Sequence, residues 1–581
     1  MRTSPASRIA LAACLFACLA PATFAQRGEQ PAATADILNA VPANAWAALM
    51  VRNLGELDIK LSTLSQQLNV PAPSMLMMAK ASMGLMTGIN DQGGMAIVLM
   101  PQPNFMDVMP GIAVIVPVSD FNAFTAALQG QDVEGEPGMK KIVITNQESY
   151  AAPYGAFAVI AQMPGAVKQV LAGDAGPARA QWTPHEVERF AADDVMLWLN
   201  GTSIVSGEAF AQIMPMMQMM SQGTFSPEQI QGWRGTTVAL RLDKSGLRLG
   251  FYVGAKEGSP NAAAMASLPT TNKSLLTGLP GEKYLMAFGM QSSKESAANT
   301  AQALSGALAN PMVMSQVNPQ SLESIKTSLA GMITDLREAA FSIAALPTGP
   351  DGIVGFAKVV AFEGDAAGKC ASFGDLLSQV TGGMIQDPQM QEQISQIVSY
   401  RAGAETIGGT SVDHFVVDLD KIPNAQPQWI NEVKQVLGQE GVLVRVAAVD
   451  GTHVAATLGG GQARMQKVIE LVKSNSAPLS ANDGIRQVAG ALPDKRGLEG
   501  YLSVSNLMST AAEIAKIANE MPPPAFPNVS QPAAMVGGPV GQLGYQLDVL
   551  MPTELIVAFK DMAMSQAMPA QPAPATGDTG Q

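Results

Sequence analysis

Cysteine is nearly absent from this chain, with three in 581 residues: Cys14, Cys18 and Cys370. The first two fall in a leader that export would remove. Cys370 would then stand alone, and no intramolecular disulfide is available. Histidine is equally scarce, at positions 185, 414 and 453, with no H-E-x-x-H and no paired cysteines. Zinc sites of the usual spacing are therefore excluded, and no cofactor is expected. Charge is thin at 14% of residues, against about 25% in an ordinary soluble domain. Basic residues are outnumbered 35 to 48, a net of −13. A nucleic-acid partner is excluded, because displacing counterions needs clustered Lys and Arg. A long membrane-spanning run is missing too. The most apolar window, Gly94 to Val118, carries Pro101, Pro103, Asp107 and Pro110 and reads as strands. No G-x-S-x-G elbow and no S-x-x-K motif with its companions occurs, so no enzyme class is indicated.

What is present begins with a leader. Arg2 and Arg8 precede an apolar stretch from Ile9 to Leu19, and Thr23-Phe24-Ala25 places small residues where a signal peptidase reads. Cleavage is expected after Ala25. An apolar run of about 11 residues is too short for a bilayer that needs roughly 20. The mature chain would be periplasmic or extracellular, and losing two arginines takes its charge from −13 to −15. A lipoprotein signal is the alternative, with a lipid at Cys18 or Cys14 anchoring the chain.

Hydrophobic residues make up 47% of the chain, enough for large cores. Residues 26–35 read as a flexible start and 563–581 as a disordered tail rich in Pro, Ala, Gly and Gln. Between them strands alternate with amphipathic helices. Leu54, Leu57, Leu61, Leu64 and Leu68 are spaced 3-4-3-4, one apolar seam on a helix that packs on a sheet. Hairpins are expected around Asp243–Gly246 and around Asp450-Gly451, where both central residues would take positive φ. Residues 521–540, with Pro522-Pro523-Pro524 and Gly537-Gly538, read as a long loop.

The units recur. Val41-Pro42, Leu279-Pro280 and Leu492-Pro493 each lead through a short strand into a helix. Tyr154 to Gly173 parallels His453 to Val472, and Val195 to Met220 parallels Leu498 to Met521. The fold class expected is α+β: two pseudo-repeated lobes, 36–268 and 275–562, each an antiparallel sheet built from hairpins. Amphipathic helices cover each sheet on one side. The second lobe holds an extra segment near Ser411 to Leu437. The opening V-P-A-N-A-W-A-A-L-M-V-R-N-L-G-E-L at 41–57 resembles large uncharacterised secreted bacterial proteins. In these a Leu/Val-Pro start, a strand and an amphipathic helix recur along the chain. The resemblance implies no activity, cofactor or site residue.

Methionine is the compositional excess, 35 in all. Two groups stand out: Met75, Met77, Met78, Met83 and Met86, then Met214, Met216, Met217, Met219 and Met220. Flexible thioethers fill helix faces packed on sheets, and this reading leads. They also make adaptable apolar surfaces, and soft Cu(I) sites when His or Cys joins them. Met75, Met78, Met216 and Met219 are the candidate surface for an apolar ligand. Cys370 follows Lys369 near a helix start, where a cation would favour the thiolate, although a small buried hydrophobe is the commoner fate. Gly364 to Cys370 falls short of a phosphate-binding loop in its spacing and in lacking Ser or Thr. Gly459-Gly460-Gly461 reads as a strand-to-helix turn. The function expected is an exported, non-enzymatic cell-envelope protein that binds or supports. A carrier of an apolar ligand or lipid, and an unrecognised hydrolase using Cys370, are the alternatives.

Overall fold

The computed structural model describes residues 36–70, 73–84, 87–102, 111–173, 176–207, 210–211, 227–298, 300–301, 319–383 and 388–567. The leader, the 26–35 start, most of the tail and Met214–Met220 lie outside them. The chain forms two compact units of mixed helix and antiparallel sheet. One comprises the chain up to Asn272 with Lys495–Gly497 and Met535–Leu550; the other comprises Lys273–Asp494, Leu498–Ala534 and the chain from Met551.

The first unit opens with β1 (Ala47–Val51), β2 (Met95–Leu99), β3 (Ile112–Pro117), β4 (Gln131–Asp132) and β5 (Lys140–Ile144). It continues with β6 (Gln147–Tyr154), β7 (Phe157–Ala161), β8 (Val195–Leu199), β9 (Trp233–Asp243) and β10 (Gly246–Ala255). Antiparallel pairing sets the order β4-β5-β6-β7-β3-β2-β1-β8-β9-β10. Sequence patterning places helices on one side of such a sheet; here both faces are covered. Ala48 and Met50 of β1 join a core with Val98, Ile115, Val159 and Met196, roofed by Val167 and Val170 of the helix Pro164–Ala172. Leu49 and Val51, on the opposite face, meet Leu54, Leu57 and Leu61 of the helix Leu54–Gln67. Every residue of β7 is buried. Strands enclosed on both faces read as continuous apolar runs, and that pattern does not tell which side a helix takes.

The second unit holds β11 (Lys283–Gln291), β12 (Leu336–Ala345), β13 (Val354–Phe362) and β14 (Val398–Ile407). It adds β15 (Thr410–Val417), β16 (Val442–Ala448), β17 (His453–Leu458) and β18 (Leu498–Leu502). Their order is β14-β15-β16-β17-β13-β12-β11-β18. This matches β4-β5-β6-β7-β3-β2-β1-β8 strand for strand. The Asp450-Gly451 turn departs from expectation, since neither residue takes positive φ. Asp450 instead closes the turn with its side chain, accepting from the backbone N–H of Thr452 and of His453 at 2.8 Å each. Those donors, with the His453 ring, hold its carboxyl down at about 2 despite partial burial.

The segment read as a loop over 521–540 is irregular only through its first part. Ala533–Val540 forms β19, which pairs with β20 (Gly544–Pro552). The backbone of Gly537 accepts from Gly497 N–H at 2.8 Å, a close approach that side-chain-free residues permit. β20 pairs with β10, so the C-terminal hairpin extends the first unit's sheet. Residues 563–567, read from composition as tail, belong to the helix Thr553–Ala567.

Candidate functional site

The first methionine group forms the helix Met75–Met83, and its sequence explains how it is fastened. Ser74 caps it, accepting from Met77 N–H at 3.0 Å. Asp58 of the neighbouring helix Leu54–Gln67 accepts from Ser74 Oγ at 2.7 Å and from Leu76 N–H at 3.0 Å. Lys80, itself buried, reaches Asp91 at 2.8 Å, and Gly84 ends the helix in the left-handed region. Leu76 and Lys80 thus face inward, Met75 is half-buried, and Met77 and Met78 stand in solvent. Ile59 on the helix Leu54–Gln67 and Val70 in the connection after it are also exposed, so four large apolar side chains in this stretch are between 46% and 56% exposed. Of the four candidate methionines the structure places Met75 at the margin and Met78 in the open; Met216 and Met219 lie outside the described residues.

Cys370 sits in the first turns of the helix Ala366–Gly383 and is buried. Lys369 does not activate it: its Nζ turns away to Asp335 at 2.7 Å and to the Gly331 carbonyl. Burial, with Asp413 adding to it, pushes the thiol up to about 12. Tyr400 donates to Asp413 and to the Cys370 carbonyl, and its own hydroxyl is held neutral by burial and by Asp413. The thiolate that a neighbouring cation would favour is therefore suppressed, and Cys370 sits as a small buried side chain. Alkylation of the native protein by N-ethylmaleimide at neutral pH should be at least about a thousandfold slower than that of a free thiol, and fast once denatured. Rapid native labelling would restore Cys370 as a nucleophile.

The histidines stay apart in their partners. His185 Nε2 meets Gln546 Oε1 at 2.6 Å, His414 Nε2 meets Glu405 at 2.9 Å, and His453 Nδ1 meets Asp450 at 2.9 Å. Among the described residues no group of three or more His, Cys, Asp or Glu is placed to hold a metal ion. Gly459, Gly460 and Gly461 are all left-handed and form the strand-to-helix turn ahead of the helix Gly461–Lys473.

Sequence reasoning missed a buried ionic cluster in the first unit, built around the helix Pro184–Ala192. Thr183 and Glu186 make a capping box at its start. Arg189 donates from Nη1 to Asp548 at 2.7 Å and from Nε to Asp193 at 3.0 Å. Arg234 pairs with Glu186 at 2.9 Å and touches the Tyr252 hydroxyl at 3.3 Å. Asp194 takes Lys60 at 2.6 Å. Asp548, Asp193, Asp194 and Glu186 are all buried. The spacing fits: His185 and Arg189 are one helical turn apart, Gln546 and Asp548 two residues apart on β20, and both steps are about 6–7 Å. Gly250 and Gly254 on β10 leave the slots, since a Cβ at either would strike the Arg189 or the Arg234 guanidinium. Burial pushes the Asp193 carboxyl up, with Arg189 opposing. Each of these carboxylates is engaged by a cation, so the cluster ties elements together and leaves no free base for proton transfer.

No family model matches the chain, and no curated protein matches it. Six chains of solved structures do. Crystal forms IV, I and III of TP0453 align at 12%, 12% and 11% identity, each with a TM-score of 0.22. They cover 37%, 38% and 40% of this chain and 79%, 80% and 83% of their own. A likeness at that score carries no argument about fold or role.

Proposed function

We propose that the chain is an exported, non-enzymatic binding or structural protein of the cell envelope, directed there by the leader at 1–25. Its contact surface is the helix pair at 54–83. The observation that carries this reading is the exposure of Met77 and Met78, with Ile59 and Val70 of the same stretch also exposed, while Leu54, Leu57, Leu61 and Leu76 are buried in the core. Flexible thioethers suit an apolar contact that adapts to its occupant. No helix among the described residues is long and apolar enough to cross a membrane. A Met77→Gln/Met78→Gln variant should bind a fluorescent probe with an apolar ring system, anilinonaphthalene sulfonate, about tenfold more weakly than the parent. Equal binding by both would overturn this surface. Native mass spectrometry of protein purified from its export compartment, with organic extraction, then separates the versions. A stoichiometric apolar ligand makes the protein a carrier, and a bare polypeptide mass makes it a partner-binding or supporting element.

The two units further descend, in this reading, from one duplicated pattern. The matching order of eight strands supports it. So does the recurrence of strand, helix, 3-10 turn, helix, strand from β7 to β8 and again from β17 to β18. The departure falls where the sequence has its extra segment: Thr145-Asn146 joins β5 to β6, whereas the helix Pro427–Leu437 intervenes between β15 and β16.

A further inference from the structure

We propose that Met77 and Met78 form an oxidation-sensitive pair that switches the helix surface between apolar and polar; the inference rests on the contact surface read above. The chemistry is oxygen transfer from hydrogen peroxide. A thioether sulfur lone pair attacks one peroxide oxygen, the O–O bond breaks, and the departing hydroxide takes the proton to leave as water. Methionine is oxidised by two electrons to its sulfoxide and the peroxide is reduced. Three features of the molecule leave the pair open to this reaction without loosening the fold. The thiol that would ordinarily compete, Cys370, is buried and held neutral, whereas a thioether reacts without having to ionise. Met50, Met100, Met196 and Met465 are wholly buried, so the exposed side chains are oxidised first. The helix carrying the pair is fastened through its other side, by the Ser74 cap, the Asp58 bonds, the packing of Leu76 and the Lys80–Asp91 ion pair. None of these contacts involves the Met77 or Met78 thioether. Oxidation therefore changes what the surface offers while the helix keeps its place.

Peroxide treatment of the full-length protein, followed by peptide mapping and probe titration, tests the switch. Met77 and Met78 should gain one oxygen each well before the four buried methionines, and probe affinity should fall about tenfold. Met163, Met521 and Met564 are exposed as well and will also react, so two variants isolate the pair. Met77→Leu/Met78→Leu, apolar but inert, should keep its probe affinity through the same treatment. Met77→Gln/Met78→Gln should start near the oxidised value. If the leucine variant loses affinity as the parent does, the switch lies elsewhere and the proposal falls. If the pair resists peroxide while the buried methionines react, it falls as well. If the glutamine variant binds the probe as the untreated parent does, it is the contact surface itself that fails, and the oxidation map still reports separately on the reactivity of the pair.

Discussion

Replacing Asp548 with alanine should destabilise the first unit by about 3–5 kcal/mol, the cost of stranding a buried charge. Asp548 is fully buried on β20, and its partner Arg189 comes from the helix Pro184–Ala192. Without the carboxylate, Arg189 keeps only Asp193, and Arg248, whose charge Asp548 also favours, loses that support. The measurement is urea denaturation combined with hydrogen exchange on β10 and β20, whose pairing should open first. Asp548→Ala combined with Arg189→Met should recover part of the loss, because much of it is the penalty on an uncompensated guanidinium and little of it the worth of the pair. A loss under about 1 kcal/mol for the single change would mean that the hairpin is held by its backbone ladder alone.

Phe124→Ala should cost a similar amount, about 3–5 kcal/mol, through a different mechanism. Phe124 is wholly buried on the short helix Phe121–Ala127 and packs among Val116, Val118, Ile142, Ala151 and Ile160. Truncation removes a ring's worth of transfer free energy and leaves a cavity that β3, β6 and β7 are too tightly paired to close. Asp120, which caps the helix by accepting from Asn122 and Ala123 N–H, should keep it folded, so the loss is one of packing. Hydrogen exchange should quicken over β3 and β5–β7 and remain unchanged over β9 and β10. Phe124→Leu should cost much less, and equal losses for the two substitutions would point to backbone distortion in place of a cavity.

Much of the architecture is legible in the residues, and the illegible parts share a cause. The leucine seam at 54, 57 and 61 lands on the sheet because its 3.6-residue period admits one buried face. β20 shows the opposite case. Its apolar side chains Tyr545, Leu547 and Val549 suggest an inward face, yet Gly544, Gln546, Asp548 and Leu550 are the buried set. Charge pairing with a helix more than 350 residues earlier overrides the local pattern, and period-two reasoning carries no term for it. The same long range hides β19, whose glycines and proline resemble a loop until a partner strand is in place. The methionine helix was readable as amphipathic. Which of its thioethers would stay in solvent was not, because that depends on Asp58 and Asp91 of neighbouring segments.

The late arrival of β20 also sets a timetable. β10 ends at Ala255, and the strand that covers its open side begins at Gly544. At about 5–20 residues per second, that edge waits roughly 15–60 s for its partner while the chain is made. Over that interval the open edge of a ten-residue strand, with Arg189 lacking its Asp548, forms a template on which another nascent chain can pair. The first unit therefore completes only once Met535–Leu550 has been made, and crowding of unfinished chains is the stage at which this protein is most open to loss.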